Sequence, residues 1–137
     1  MGQSTNLNEY LREVKDKPFS WGKHDCLTFS NSAFKSYHGW GWAEDYLGTY
    51  LDGTEPLIPS KLKKKYKVSD WDDLIPETLE EIDYVPPKGS LVATKKVERW
   101  MIGYSLGISL GLKAAFVGRK GLQYLPIDSI DRAWIPE

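Results

Sequence analysis

The sequence predicts an α+β fold, with helices gathered in the N-terminal part and strands in the C-terminal part. Three observations point there. Apolar residues recur at clear helical spacing before about residue 40. After Gly89 short apolar runs alternate with Gly, Pro or charged residues, the texture of strands joined by tight turns. At 137 residues, 41% hydrophobic and 27% charged, the chain has a globular composition. It is too short to divide into two well-cored halves, so residues 1–137 read as a single domain.

Leu7, Tyr10, Leu11 and Val14 share one helical face, with Asn6 as the expected N-cap and Glu9 completing a capping box. This helix should end before Lys17-Pro18, and residues 18–25 carry no period and read as a structured loop. In the second helix Cys26, Phe29, Ser30, Ala33 and Tyr37 form a buried stripe, opposite Thr28, Asn31, Ser32 and Lys35. Asp25 suits its N-cap and Gly39 its left-handed end, which makes Cys26 the first residue of the helix.

Residues 40–53 form an aromatic, glycine-bearing connection with a short helical turn. A small helix is expected over 59–67, its five lysines reading as a solvated face because acids flank it. The acidic stretch 69–84 predicts one or two short helices, and Pro86-Pro87 marks a boundary. Strands follow at Leu91 to Ala93, Leu106 to Leu110, Ala114 to Val117, Leu122 to Leu125 and Ala133 to Ile135. Gly111-Leu112 fits a two-residue hairpin turn, and Gly118 to Gly121 a longer one.

Composition removes several function classes. A formal net charge of -1 gives no global field for nucleic acid, and no apolar run approaches a membrane span. The N-terminal stretch has no signal-peptide core, so Sec export is not expected. One cysteine forms no intrachain disulfide and suits folding in a reducing compartment. One Cys and two His make no zinc site, and neither a calcium loop nor a phosphate-cradling glycine loop occurs. No metal and no cofactor are therefore expected.

Cys26 is the most function-like residue. A thiol in the first turn of a helix meets free backbone N–H groups and the positive end of the macrodipole, which favour the thiolate. A nucleophile of this kind needs a base, usually an imidazole oriented by a further polar group. His24 is the local candidate, with Asp25 able to orient it, although as a carboxylate Asp25 would also oppose thiolate formation. The blander alternative makes Cys26 a small buried apolar group and His24 a loop residue held by hydrogen bonds. His38, at the end of the helix, has no catalytic role.

The run Phe19-Ser20-Trp21-Gly22-Lys23-His24-Asp25-Cys26 resembles the nucleophile segment of NlpC-type peptidases, the papain-like cell-wall hydrolases. Pro87-Lys88-Gly89-Ser90-Leu91-Val92 resembles their Pro-x-Gly-Asp-Leu-Val entry to the sheet, with Ser90 in place of Asp. Ser105 to Gly111 resembles their His-Val-Gly-Ile-Tyr strand, and Gly121-Leu122 through Arg132-Ala133-Trp134 is similar to a smaller branch found among tailed-phage and prophage tail genes. The resemblance implies a papain-like core, with N-terminal helices packed on a C-terminal antiparallel sheet or half-barrel. It also implies Cys26 in the nucleophile position.

Ser105 stands where that strand should supply the catalytic His, and the strand after it offers no His or Asn as orienter. Serine holds no proton near neutral pH, and general-base help is typically worth ~10²–10⁴-fold. The resemblance with this departure therefore implies an inactive papain-like domain, a structural or assembly protein of a phage-type tail. Such a protein would be made in the host cytoplasm and incorporated with other tail or virion proteins. The alternative is an active cysteine hydrolase cutting a peptide or amide bond in peptidoglycan, with Cys26 as nucleophile and His24 as base. Trp21, Trp40, Trp42 and Tyr50 would then line its substrate groove.

Overall fold

The computed structural model describes residues 3–69, 71–97 and 104–137. Two helices open the chain, α1 over Gln3–Val14 and α2 over Cys26–His38, and they pack against each other. A two-residue hairpin follows, β1 over Leu51–Asp52 with β2 over Glu55–Pro56, and then α3 over Pro59–Tyr66. The remaining strands are β3 (Leu79–Ile82), β4 (Leu91–Thr94), β5 (Ser105–Ser109), β6 (Lys113–Val117), β7 (Leu122–Pro126) and β8 (Arg132–Pro136). They form one six-stranded sheet in the order β3-β8-β4-β5-β6-β7, antiparallel at every pairing. Among the described residues the protein is thus a mixed α+β fold with three α-helices and an antiparallel six-stranded sheet.

Side chains alternate across this sheet as the pleat requires. Leu91, Ala93, Leu106, Ile108, Ala115, Val117 and Trp134 turn to the face covered by α1 and α2, where the main core lies. Val92, Ala114, Phe116 and Ala133 turn to the other face, where Ile127 and Ile130 pack over a smaller cluster. The central strands are buried on both faces, which explains why they read as continuous apolar runs rather than alternating ones. Because α2 packs directly on β5, the helix start and the head of that strand are brought together.

Several expectations need correction. The backbone of α1 is already helical at Gln3, so Asn6 is an exposed residue within the helix rather than its cap. Asn in a helix costs only a few tenths of a kcal/mol, which the packing of Leu7 and Leu11 readily offsets. Asn31 is buried, not solvent-facing: its Oδ1 accepts from the Ala43 N–H at 2.8 Å and its Nδ2 donates to Glu44 at 3.2 Å. The stretch 69–84 holds a short helical turn, Trp71–Leu74, as expected, and then a strand, β3, that the sequence did not indicate. Glu80 and Glu81 hid it, because charge on an exposed edge strand interrupts the apolar pattern.

Candidate functional site

The loop before α2 is shaped by its own backbone. Ser20 and His24 bridge each other, Ser20 N–H donating to the His24 carbonyl at 3.0 Å and His24 N–H to the Ser20 carbonyl at 2.7 Å. Between them Gly22 takes a φ of 78° and donates its N–H to Asp25 Oδ2 at 2.8 Å. The positive φ is what requires glycine here; a β-carbon on Gly22 would lie 2.5 Å from Leu51 Cδ1, the tip of a side chain that can turn away. Asp25 then caps α2: its Oδ1 accepts from Thr28 N–H at 2.9 Å, while Thr28 Oγ1 accepts from Asp25 N–H at 2.8 Å. The Tyr50 hydroxyl donates to Asp25 Oδ2 from the far side. Asp25 is fully buried, and these donors are what make burial of its carboxylate tolerable.

Cys26 opens the helix as the sequence predicted, and it lies against β5. The backbone N–H groups of Leu106, Cys26 and Leu27 all favour its thiolate. They do not prevail. The thiol is 2% exposed, and burial pushes its pKa well above the ordinary 9.0, with the neighbouring Asp25 charge pushing the same way. The helix dipole is a local effect worth about 1 kcal/mol, too small to offset loss of solvent around the sulfur. The resting group is a thiol. Ser105 is buried at the head of β5, one residue before Leu106.

His24 is also buried, and among the described residues its Nε2 has no hydrogen-bond partner. The ring meets Phe29 edge-on, at 6.0 Å between centroids. Burial lowers its pKa and the charge of Lys17 lowers it further, partly offset by Asp25. Among the described residues no imidazole is hydrogen-bonded to the Cys26 thiol. His38 donates from Nε2 to the Gly89 carbonyl at 2.8 Å, tying the end of α2 to the strand entry.

The model of a domain of unknown function, DUF6950, matches residues 2–135. The chain belongs to the DUF6950 family. No curated protein and no solved structure matches it.

In this DUF6950 domain the four aromatic residues assigned to a groove separate. Trp21 is half-buried and meets Phe19 edge-on at 4.8 Å, and Trp40 is 37% exposed, packing edge-on to Phe34. Trp42 and Tyr50 are interior instead. Trp42 Nε1 donates to Ser30 Oγ at 3.3 Å, and Tyr50 is fully buried on Asp25. Each indole or phenol found an internal acceptor, so these two rings build the core and line no open groove. The Tyr50–Asp25 contact was missed in the sequence, where the only signal was an aromatic residue in a loop rich in them. Among the described residues no cluster of three or more His, Cys, Asp or Glu comes together to hold a metal.

The two imidazoles of this DUF6950 chain make stability depend on pH in a definite direction. Both have pKa values lowered from 6.5, mainly by burial. Between each folded value and 6.5 the unfolded chain holds a proton that the folded chain does not, so stability is full above that window and declines as pH falls through it. Urea midpoints should therefore be lower at pH 5 than at pH 7.5, and His24→Gln should narrow the gap. A midpoint unchanged over that range would mean that His24 is solvated.

Proposed function

We propose that this chain is a non-catalytic domain with a papain-like, NlpC-type core, serving as a structural or assembly component of a phage-type tail. The observation that carries the reading is the state of Cys26: a buried thiol held against β5, with Ser105 at the strand head and no imidazole bonded to the sulfur. A cysteine hydrolase needs a thiolate and a base bonded to it; here burial favours the thiol and, among the described residues, no imidazole is hydrogen-bonded to the sulfur. The helix-on-sheet packing that presents Cys26 to Leu106 supports kinship with the papain-like core. The tail context rests on the likeness of residues 121–134 to tail-gene relatives of that superfamily, and the partners would be other tail or virion proteins.

Alkylation of Cys26 measured against pH tests this directly. The rate should climb only above the ordinary thiol range, and Cys26→Ser should leave folding and assembly intact. An inflection near neutrality, or loss of function in a folded Cys26→Ser protein, would overturn it. A second reading, the peptidoglycan hydrolase with His24 as base, has one observation in its favour. The unpartnered Nε2 of His24 lies two residues from the nucleophile position, on a loop whose rearrangement would be needed to bring it to the sulfur.

A further inference from the structure

The molecule carries two surfaces of opposite charge that do not meet each other. On α3 only Leu62 is buried, and it joins the main core on the helical side of the sheet. Ile58, Lys61 and Lys64 follow one another three residues apart down one side of this helix, the spacing of neighbours on a helix surface. All three are exposed, Ile58 by 56%. Lys61, Lys63, Lys64 and Lys67 make no ion pair among the described residues.

The second surface is a cleft of about 230 Å3 on the other face of the sheet, between residues 82–86 and 127–133. Its apolar floor, Ile82, Ile127, Ile130 and Ala133, belongs to the smaller cluster, and Tyr84 and Val85 flank it 58% and 67% exposed. Asp83 and Asp128 stand on its rim, and Glu80, two residues before Ile82 on β3, turns to the same face. These three carboxylates are exposed and unpaired among the described residues. Asp131 is already engaged, by the Lys95 N–H at 2.8 Å and by Lys96 at 3.7 Å.

We propose that copies of this chain associate head to tail, the side of α3 bearing Ile58, Lys61 and Lys64 docking in the acid-rimmed cleft of the next copy. Charge complementarity names the occupant: the isoleucine fills the apolar floor while the lysines beside it reach the free carboxylates. The two surfaces lie on opposite faces of the sheet, so they cannot satisfy each other within one molecule. Joining like surfaces would set acid against acid or lysine against lysine. A contact between unlike surfaces leaves a free surface of each kind at the ends, so association continues beyond the dimer. A formal net charge of -1 leaves little general repulsion between copies. The contact depends on neither the papain-like kinship nor the tail context.

Sedimentation of the native protein over a concentration series tests this. At low salt the average mass should grow with concentration past that of a dimer. In about 1 M salt, where charges are screened beyond about 3 Å, it should fall back towards the monomer. Lys61→Glu with Lys64→Glu, and separately Asp83→Lys with Asp128→Lys, should each weaken association at least about tenfold, because attractive pairs become repulsive. An equal mixture of the two double variants should associate again, since acid then meets lysine at every contact. All four positions are exposed, so the urea midpoint of each variant should stay near that of the parent. The proposal is overturned if the native protein stays monomeric at low salt up to about 1 mM, which would leave each surface to a different partner. Association that strengthens with salt, or a mixture of double variants that stays apart, would overturn it equally.

Discussion

Asp25→Ala is expected to destabilise the protein by about 3–5 kcal/mol, measured as a shift in the urea midpoint at unchanged slope. The substitution strands three donors: the N–H groups of Gly22 and Thr28 and the hydroxyl of Tyr50. Each buried donor left without an acceptor costs about 1–3 kcal/mol, and relief of the carboxylate's own desolvation brings the sum down. Asp25→Asn should cost roughly half as much: its amide oxygen still caps Thr28, and the Tyr50 hydroxyl can turn to accept from the new amide. Only the Gly22 N–H then faces a donor. Tyr50→Phe, which leaves Asp25 its two backbone donors, should be the mildest of the three. A cost below about 1 kcal/mol for Asp25→Ala would mean that the carboxylate does not hold the loop, the helix start and Tyr50 together.

This carboxylate also shows what a sequence reveals. Asp25 and Gly39 were legible as the ends of α2 because capping is local chemistry, written within a few residues of the helix terminus. Of the five expected strands, β4, β5 and β6 were legible because burial on both faces leaves an unbroken apolar run, while β7 and β8 are only partly buried. The part that escaped is non-local. β3 is a strand because β8 pairs with it and Arg132 engages Glu81 at 2.6 Å, and nothing within Leu79–Ile82 announces that partner. Asn31 lay opposite the apolar stripe of α2 in the sequence, and only the fold brings Ala43 and Glu44 to its amide. Cys26 was placed correctly as the first residue of α2, but the state of its sulfur was not legible, because the helix terminus is a local field whereas burial of the sulfur depends on the whole fold.

Gly107→Ala should be among the most damaging single-methyl changes in the described residues, costing about 4 kcal/mol or more and sharply reducing the soluble folded fraction. Gly107 lies in the middle of β5, paired with Val92 of β4. A β-carbon there would fall 2.2 Å from the Ala115 carbonyl oxygen and 2.6 Å from the Phe116 ring. The first neighbour is backbone of the adjoining strand, so no rotamer change relieves it, and β5 and β6 would have to part. Ile108→Val, one residue on and equally buried, removes a methyl without a clash and should cost only about 0.5–1.5 kcal/mol. The contrast separates steric intrusion from general sensitivity of the strand. Separation of β5 from its neighbour would also displace Leu106, so Gly107→Ala protein that still folds should label faster at Cys26. Near-normal stability in Gly107→Ala would mean that β5 and β6 do not approach this closely, and the placement of Leu106 on the Cys26 sulfur would fall with that contact.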